Sequence, residues 1–513
     1  MATWMSGYVA DVAYTLGFYR ELAPTYLNMA CVMSGSNALL TRPLRYCELG
    51  CGRGYGTALL AAANPDVEFV GIDFNPSHIA EARKLATRAA IPNVTFLEMG
   101  FADAARSSDP KLSNFDVAVL HGVYTWVEPR VREDIHKFIH DKVTAGGVVY
   151  NSYNVLPGWA SVVPIQQLLM EVANRSPRDS IAAVKEGLGL LNTLSEKNSA
   201  FVVQNPGIKA RIDSMKKLDP AYLVHEYLNT GWQPLFVTNV MANFAEAKLT
   251  YIGSATLTEN RLDLCVPKDL QPLVNAAPDT GMRELLKDYI VNKQFRRDIY
   301  VKGPQLLSQR EQWQEFEKLT FAATLQGNLP EKFRLPIGEV TPKKESLAAL
   351  MQALATKPAS GAELMDAGRK CGINENDVIL LILLLTNGAC ITPARRDYAT
   401  VDRSASERLN ALVFGLTPAA DSHRFVASAV LGSAMGAGFV DRVIGPLANG
   451  SAIKDTEVAA KAFELLEKAG QQFRRDGKLM ENSEANIAEI STLVREFRDT
   501  RLPLWRSLGI VAS

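Results

Sequence analysis

Short apolar segments alternate with amphipathic segments over about the first 155 residues of the chain. A continuous apolar run of five or six residues is typical of a strand in a parallel sheet, which is buried on both faces. The predicted strands lie at 44–49, 67–72, 93–98, 115–120 and 148–151. Apolar stripes at helical spacing lie between them, at Ile79, Ala82 and Ala86 and at Val131, Ile135, Phe138 and Ile139. This alternation predicts an α/β fold with a doubly wound sheet, whose site lies at the carboxyl ends of the strands.

The chain after the fifth strand is predicted to form a helical insertion. Residues 161–217 carry apolar side chains at helical spacing, for example at Ile165, Leu168 and Val172. An insertion at this point of the sheet is expected to cover the site as a cap. Residues 249–255 then predict a strand that returns to complete the sheet.

The last third of the chain is predicted to be mainly helical and winged-helix-like. Prolines 330, 336 and 342 predict a linker, and short helices follow at 346–350, 361–364 and 378–385, with 390–392 as a wing strand. Gly432, Gly436 and Gly438, close together within 414–446, predict close helix packing, and the last 40 residues predict a charged amphipathic helix. The expected domains are a core with an N-terminal lid (1–160), a cap or regulatory region (161–328) and a C-terminal domain (329–513).

Composition narrows the classes of function. The chain has 513 residues, 47% hydrophobic and 21% charged, with 55 basic and 55 acidic side chains. Because no net field would attract nucleic acid or anionic lipid, neither is expected as a partner. The longest apolar run, 378–385, is too short to span a bilayer. Six scattered cysteines without a metal-binding spacing predict no metal site, and they favour a reducing, cytoplasmic location.

The segment after the first strand is rich in glycine. It reads Glu48-Leu49-Gly50-Cys51-Gly52-Arg53-Gly54, with glycines at alternate positions. Glycine permits a tight turn and lets a ligand lie against bare backbone at the start of a helix. The spacing differs from the G-x-G-x-x-G of dinucleotide-binding folds, and no G-K-[ST] is present for a triphosphate. Because Glu48 would repel a pyrophosphate, the loop favours a cationic ligand, such as a sulfonium with an α-ammonium group.

The second strand ends in an acid, Asp73, about 20 residues after the glycine-rich loop. In open α/β sheets a carboxylate at this position accepts hydrogen bonds from both hydroxyls of a ribose. Capping of the helix that starts near Ser77 is the alternative role. That alternative does not explain why the acid occurs together with Glu48.

Glu48, the loop glycines and Asp73 together resemble the cofactor motifs of the class I S-adenosylmethionine (AdoMet) methyltransferases. The resemblance implies a seven-strand doubly wound sheet with AdoMet as the cofactor. It also implies an acid after the third strand for the adenine amino group, apolar neighbours for the ring, and an aromatic N-terminal lid. The residues expected to bind the cofactor are Glu48, Gly50, Cys51, Gly52, Gly54, Asp73, Phe74, Phe101, Ala102, Asp103, His121, Tyr14 and Tyr19.

The loops after strands four and five carry the candidate acceptor residues. Both loops lie on the carboxyl edge of the sheet, where aromatic faces would stabilise a sulfonium or a methylammonium and orient an amine. The candidates are Tyr124, Trp126, Tyr153, Asn154 and Trp159. Packing over the sheet edge is the alternative, especially for the two tryptophans. His121 has proton abstraction as an alternative to cofactor contact.

The same loops carry a narrower resemblance. HGVYTWV and SYNVLPGW are similar to motifs of bacterial methyltransferases with an appended regulatory domain, whose best-known members are rickettsial protein lysine methyltransferases that modify outer-membrane proteins. Residues 224–229 resemble the H-E-Y-L region of that family, and 292–297 resemble its N-R-x-F-R element. Lys293 and Asp298 depart from the usual Arg and Thr, and the N-terminus lacks the usual Y-P-Y. The resemblance implies a protein substrate, such as a surface protein before its export, and a homodimer.

The sequence therefore predicts an AdoMet-dependent methyltransferase that modifies lysine side chains of a protein. A small-molecule N- or O-methyltransferase remains the alternative, and a non-catalytic AdoMet-fold scaffold is disfavoured because Glu48, the glycines and Asp73 are all present. A lysine nucleophile must be neutral, and a dry aromatic pocket disfavours its ammonium form. The C-terminal domain, without a cofactor motif, is expected to dock the substrate protein or mediate self-association.

Overall fold

A computed structural model describes residues 16–36, 44–176, 179–325, 327, 329–450, 453–470, 474–475, 478–479 and 483–511. Its centre is a seven-stranded sheet of order β3-β2-β1-β4-β5-β7-β6. The strands are β1 (Arg45–Leu49), β2 (Glu68–Asp73), β3 (Val94–Glu98), β4 (Phe115–Leu120), β5 (Val143–Asn154), β6 (Leu249–Ser254) and β7 (Phe295–Lys302). The first five strands are parallel, and β7 runs antiparallel to both β5 and β6. The predicted doubly wound α/β fold is confirmed.

Two details of the sheet differ from the prediction. Strand β5 begins five residues earlier than expected, and β7 was not predicted as a strand at all. The interior of β7 carries Arg296, Arg297 and Asp298, and such charges hide the apolar pattern of a buried strand. Arg296 pairs with Asp298 of its own strand and with Glu284 and Asp288 of another element, and the sequence pattern does not reveal these partners.

Helices cover both faces of the sheet. The first face packs against α1 (Pro24–Met33), α2 (Tyr55–Ala63) and α3 (Pro76–Arg88). The second face packs against α4 (Phe101–Arg106), α5 (Pro129–Lys142) and α11 (Val237–Glu246). Because side chains alternate along a strand, successive residues of β5 belong to different cores: Tyr150 lies in the core of the first face and Tyr153 in that of the second.

The predicted cap is a bundle of short helices with a hydrophobic core of its own. It contains α6 (Val163–Arg175), α7 (Ser180–Glu196), α8 (Ala200–Gln204), α9 (Ile208–Met215) and α10 (Pro220–Tyr227). Between β6 and the C-terminal third lie α12 (Leu262–Cys265), α13 (Gln271–Asn275), α14 (Thr280–Val291) and α15 (Gln309–Lys318).

The C-terminal third is mainly helical, as predicted. Its helices are α16 (Lys344–Ala353), α17 (Gly361–Lys370), α18 (Glu375–Asn387), α19 (Ser404–Leu416), α20 (Phe439–Ala448), α21 (Asp455–Lys468), α22 (Ser483–Glu496) and α23 (Leu502–Ser507). Strand β8 (Thr320–Ala323) lies just before this third of the chain. The strands within it are β9 (Phe333–Leu335), β10 (Gly338–Val340), β11 (Ala359–Ser360), β12 (Ile391–Ala394), β13 (Phe425–Ser428), β14 (Ser433–Gly436), β15 (Arg474–Arg475) and β16 (Lys478–Leu479). Strand β12 pairs with β8, which also pairs with β11. The likeness to a winged helix stays a prediction.

Two segments of this third differ from their predictions. The proline-containing segment expected to be a linker includes the hairpin β9–β10, whose Phe333 is buried in the main core. The glycine-containing segment expected to pack helices closely includes the hairpin β13–β14. Gly432 lies in the turn of that hairpin with a φ of +61°, a left-handed conformation that favours glycine. Gly432 therefore serves a turn rather than a helix contact.

The C-terminal third packs directly on helix α2, and the two parts share one hydrophobic core. The Tyr55 hydroxyl donates to the Phe425 carbonyl at 2.5 Å and accepts from the Phe425 N–H at 3.2 Å. Asn64 donates to the Gly432 carbonyl at 2.9 Å. Arg395 forms an ion pair with Asp66 at 2.6 Å. The C-terminal third thus supports the helix that begins at the glycine-rich loop.

Within the described part of the chain, none of the helices is both long and apolar enough to cross a membrane.

Replacing Tyr55 with Phe should lower the free energy of unfolding by about 1–3 kcal/mol, because the partly buried N–H and carbonyl of Phe425 lose their partner. Denaturant unfolding measures the change. Tyr289→Phe is the control, since that ring is 56% exposed. Equal stability of the two variants would contradict a structural role for the Tyr55 hydroxyl.

Candidate functional site

The glycine-rich loop joins β1 to α2 at the carboxyl edge of the sheet. Gly54, the residue before α2, has a φ of +69°, and a Cβ there would lie 2.4 Å from the Cβ of Ala82. Only glycine fits this position. Gly52 has a φ of +53°, and among the described residues no atom lies within 4 Å of the position of its Cβ. The backbone of Gly52 therefore borders open space, where a ligand can approach it.

Asp73, at the end of β2, holds this loop in place. Its carboxylate accepts the N–H of Gly52 at 2.9 Å and the N–H of Asn75 at 2.9 Å. His78 lies 3.4 Å from the same carboxylate. A carboxylate oxygen has two lone pairs, so Asp73 keeps acceptor capacity for a ligand hydroxyl. Asp73, predicted to bind the ribose, thus connects the end of β2 to the glycine-rich loop after β1.

Glu48 is buried beneath the loop, where its carboxylate accepts a hydrogen bond from the Thr57 hydroxyl at 2.5 Å. Burial raises the pKa of this carboxyl to about 7, and the negative charge of Asp73 adds to the increase. The hydrogen bond from Thr57 acts in the opposite direction and lowers the pKa. A ligand cation placed beside Glu48 would stabilise its ionised form. The buried acid therefore fits a positively charged ligand, and it does not fit an anion.

The other residues predicted for the cofactor lie around this edge. Cys51 and Phe74 are half-buried, as are Phe101 and Ala102 at the start of α4. Asp103 is exposed, and its carboxylate forms an ion pair with Arg106 at 2.7 Å. The hydrogen bond predicted between Asp103 and the adenine amino group would therefore compete with this ion pair. Tyr14 lies outside the described residues.

His121 and Tyr19 lie face to face at the end of β4. Their ring centroids are 3.5 Å apart and the ring planes differ by 26°. His121 Nδ1 lies 3.0 Å from the Tyr150 hydroxyl. Burial lowers the pKa of His121 to about 3, and the charge of Arg297 contributes to the lowering. His121 is therefore neutral and a poor base at neutral pH.

Tyr124 and Tyr153 are both completely buried in the core of the second sheet face. The Tyr124 hydroxyl lies 2.8 Å from Nε2 of His136, and the Tyr153 hydroxyl donates to Asp298 at 2.7 Å. The structure does not bring these two rings together with His121 and Tyr19, because Tyr150 and Tyr153 lie on opposite faces of β5. Their catalytic assignment stays a prediction.

The two candidate tryptophans, Trp126 and Trp159, both contact a third, Trp232. Trp159 donates its indole N–H to the Gln294 carbonyl at 2.7 Å, and its ring centroid lies 5.2 Å from that of Trp232. Trp126, which is half-buried, lies 6.4 Å from Trp232 between ring centroids. The side-chain nitrogen of Asn154 is buried and has no hydrogen-bond partner among the described residues. Of the five acceptor candidates, Trp126 is half-buried and the other four are buried.

Three residues of the cap were not assigned a role by the sequence analysis: Arg211, Tyr222 and Glu226. Burial raises the pKa of Glu226 to about 7, while the positive charge of Arg211 and a hydrogen bond from Tyr222 lower it. The signal that could have found Glu226 is an acid inside an otherwise apolar stretch, Val224-His225-Glu226-Tyr227-Leu228.

Comparison with known proteins agrees with this geometry. A family model described as a methyltransferase domain matches residues 40–239, and one described as a predicted methyltransferase regulatory domain matches residues 219–302. Protein sll1526 of Synechocystis sp. is 32% identical over 513 residues, which is 99% of this chain and 100% of the relative. Protein RP789 of Rickettsia prowazekii is 26% identical over 291 residues, covering 56% of this chain and 51% of the relative.

A solved structure has the same fold along nearly the whole chain. PKMT2 from Rickettsia typhi, in complex with AdoHcy, superposes with a TM-score of 0.71 at 17% identity. The match covers 98% of this chain and 100% of the other. With the glycine-rich loop, Glu48 and Asp73 at the carboxyl edge of a seven-stranded sheet, the chain belongs to the class I AdoMet-dependent methyltransferases that carry a methyltransferase regulatory domain.

Proposed function

We propose that this protein transfers the methyl group of AdoMet to lysine side-chain amines of a protein. Methyl transfer itself follows from the family. The lysine acceptor is supported by the likeness to PKMT2 of Rickettsia typhi, which extends through the cap and the C-terminal third and not only through the core. The observation that carries the cofactor assignment is the joint placement of Asp73, Glu48 and the open backbone of Gly52.

The residues at the strand ends fit AdoMet in three ways. Asp73 would accept hydrogen bonds from the ribose hydroxyls while it keeps the Gly52 N–H in position. The bare backbone at Gly52 would allow close approach of the methionine part. Glu48 would balance the positive charge of the bound cofactor. AdoMet, when bound, supplies an activated methyl group on a sulfonium.

The protein's contribution to the reaction would be alignment and protection from water. The acceptor nitrogen, the methyl carbon and the sulfur must lie in line, and a held geometry replaces a bimolecular encounter. Among the predicted acceptor residues, Trp126 is half-buried, and the buried side-chain nitrogen of Asn154 has no hydrogen-bond partner among the described residues. Tyr124, Tyr153 and Trp159 have packing and hydrogen-bond partners that account for their burial.

An acceptor panel tests the proposed function. Labelled AdoMet is offered with a lysine-rich folded protein, with a lysine peptide and with a metabolite extract, and the label is followed into each. We expect transfer to the protein and the peptide, with mass spectrometry placing the methyl group on lysine Nζ. Label that enters metabolites alone would support the small-molecule alternative, and no transfer beside intact AdoMet binding would support a scaffold.

Asp73→Ala should weaken AdoMet binding by about 2–4 kcal/mol, because two hydrogen bonds to a charged group are lost. Titration calorimetry measures the change. Asp73→Asn keeps one acceptor oxygen and should lose less, and Asp269→Ala, at an exposed acid, is the matched control. Since Asp73 also holds the Gly52 N–H, thermal unfolding of each variant separates loop damage from lost ligand contact. Unchanged affinity in Asp73→Ala would refute the assignment.

The affinity for AdoMet should rise with pH through neutrality. With a pKa of about 7, Glu48 is mostly protonated at pH 6 and must lose its proton to face a cation. The apparent affinity should therefore be about tenfold lower at pH 6 than at pH 8. Glu48→Gln, which does not titrate, should bind more weakly and without this pH dependence. A flat profile in the unmodified protein would contradict the charge-balancing role of Glu48.

A further inference from the structure

The guanidinium of Arg297, on β7, has no acidic partner among the described residues. Its two neighbours on the strand, Arg296 and Asp298, pair with each other at 3.0 Å. The Nη1 of Arg297 donates to the Thr256 hydroxyl at 3.2 Å, and its Nε is buried with no hydrogen-bond partner in the described part of the chain. Because a half-buried charge without a counter-charge is costly, this guanidinium fits an anion that comes from another molecule.

Arg297 lies beside the segment that follows β4. It is the register partner of Ser152 on β5, and the Ser152 hydroxyl accepts the N–H of Gly122 at 3.0 Å. Partner residues of an antiparallel pair point to the same face of a sheet, so Arg297 and Ser152 lie on the first sheet face, as Tyr150 and Ile299 do. Among the described residues, no atom lies within 4 Å of the position of a Cβ at Gly122. Open space therefore borders this segment.

Two ring contacts connect Arg297 to the end of β4. The guanidinium carbon of Arg297 lies 5.2 Å from the centroid of the Phe295 ring. That ring meets His121 edge to face, with 6.0 Å between ring centroids, and His121 stacks on Tyr19. The unpaired guanidinium is thus close to His121 and Tyr19, which were predicted to bind the cofactor.

The strand order places Arg297 on the acceptor side of the site. Strands β4 and β5 separate β7 from β1, which precedes the glycine-rich loop. With about 4.8 Å between neighbouring strands, the backbone of β7 lies about 14 Å from that of β1. Strand β5, the neighbour of β7, leads into the loop that carries predicted acceptor residues. An anion bound by Arg297 therefore belongs to the acceptor and not to the cofactor.

We propose that Arg297 binds the carboxylate of an aspartate or glutamate next to the target lysine in the protein substrate. A guanidinium presents its N–H donors in a planar fork, which matches the two oxygens of a carboxylate. The inference rests on the proposed lysine methyltransferase function and gives that activity a preference for lysines with an acidic neighbour. Arg297 thus determines which lysines are selected and takes no part in the transfer of the methyl group.

A purely structural role of Arg297 is the competing explanation. Its hydrogen bond to Thr256 ties β7 to the segment after β6, and its guanidinium lies close to the Phe295 ring. If Arg297 only supported the fold, its replacement would lower the activity towards every peptide by the same factor. Recognition of a carboxylate predicts a larger loss for the peptides that carry one. The ratio of the activities towards two peptides therefore separates the explanations.

Matched lysine peptides test the preference in the unmodified protein. One peptide carries Asp beside the lysine, and its counterpart carries Asn at the same position, so the shape is kept and the charge is lost. Such pairs are made for the positions before and after the lysine. We expect kcat/KM to be about tenfold higher for the Asp peptide in at least one pair, because hydrogen bonds between charged groups are the stronger ones. Equal values within every pair would overturn the proposal without any variant.

Arg297→Gln then removes the charge, with Arg283→Gln, at an exposed arginine on α14, as the matched control. The ratio of kcat/KM between the Asp and Asn peptides should fall from about ten to about one in Arg297→Gln and stay near its original value in the control. Arg297→Lys keeps the charge without the planar fork and should give an intermediate ratio. If Arg297→Gln kept the full preference, another residue would recognise the acid, and the proposal would be wrong.

Arg297→Glu tests the sign of the interaction. This variant should prefer a peptide with Arg beside the lysine over the Asp peptide, the reverse of the preference of the unmodified protein. Thermal unfolding and calorimetric titration with AdoMet accompany each variant. Weaker AdoMet binding together with an unchanged peptide ratio would assign Arg297 to the carboxylate of the cofactor and refute its role at the acceptor. Since the ratio in the unmodified protein decides by itself, a variant that fails to fold does not rescue the proposal.

The two levels of proposal fail in different ways. If the unmodified protein methylates none of the lysine peptides, the proposed function is wrong, and this inference falls with it. If the unmodified protein methylates the Asp and Asn peptides equally well, the lysine methyltransferase function stands and only the role of Arg297 is wrong.

Discussion

Helix α2 is buried on nearly every side, and the arrangement of the molecule depends on that burial. Of its nine residues, all but Gly56 are buried. The sheet covers one side of the helix, and the hairpin β13–β14 and helix α19 cover another. Since Gly54 directly precedes α2, the sheet on one side and the C-terminal third on the other hold the end of the glycine-rich loop in place. The cofactor site and the C-terminal third are therefore parts of one packed unit, which gives the C-terminal third a structural role in addition to any docking of substrate.

The polar side chains on the two faces of β5 contact different groups of residues. On one face, Tyr150 contacts His121, which stacks on Tyr19. On the other face, Tyr153 donates to Asp298, which pairs with Arg296 in a buried group of charges. Because side chains alternate along a strand, Tyr150 lies on the same face as His121 and Tyr153 lies on the opposite face. Loop position alone does not make this distinction.

The departures from the family pattern at Lys293 and Asp298 have partners in the fold. Lys293 forms an ion pair with Glu259, and Asp298 accepts from Tyr153 and pairs with Arg296. Arg296 also pairs with Glu284 and Asp288 on α14. A buried charge is stable only when it is paired and hydrogen-bonded, and each of these two residues has such a partner. The regulatory segment is tied to the central sheet through this group of charges.

The sequence by itself determined the parallel core and the cofactor loop, because both depend on short-range patterns. Alternating apolar strands and helices, and glycines at 50, 52 and 54 with acids at 48 and 73, carry that information within about 30 residues. Tertiary structure alone decided that β7 enters the sheet despite its charges, that Tyr124 and Tyr153 are buried in the core of the second sheet face, and that Tyr19 stacks on His121, about 100 residues away in the chain. Such contacts join distant segments, and local periodicity carries no information about which distant side chain will neutralise a charge or cover a ring.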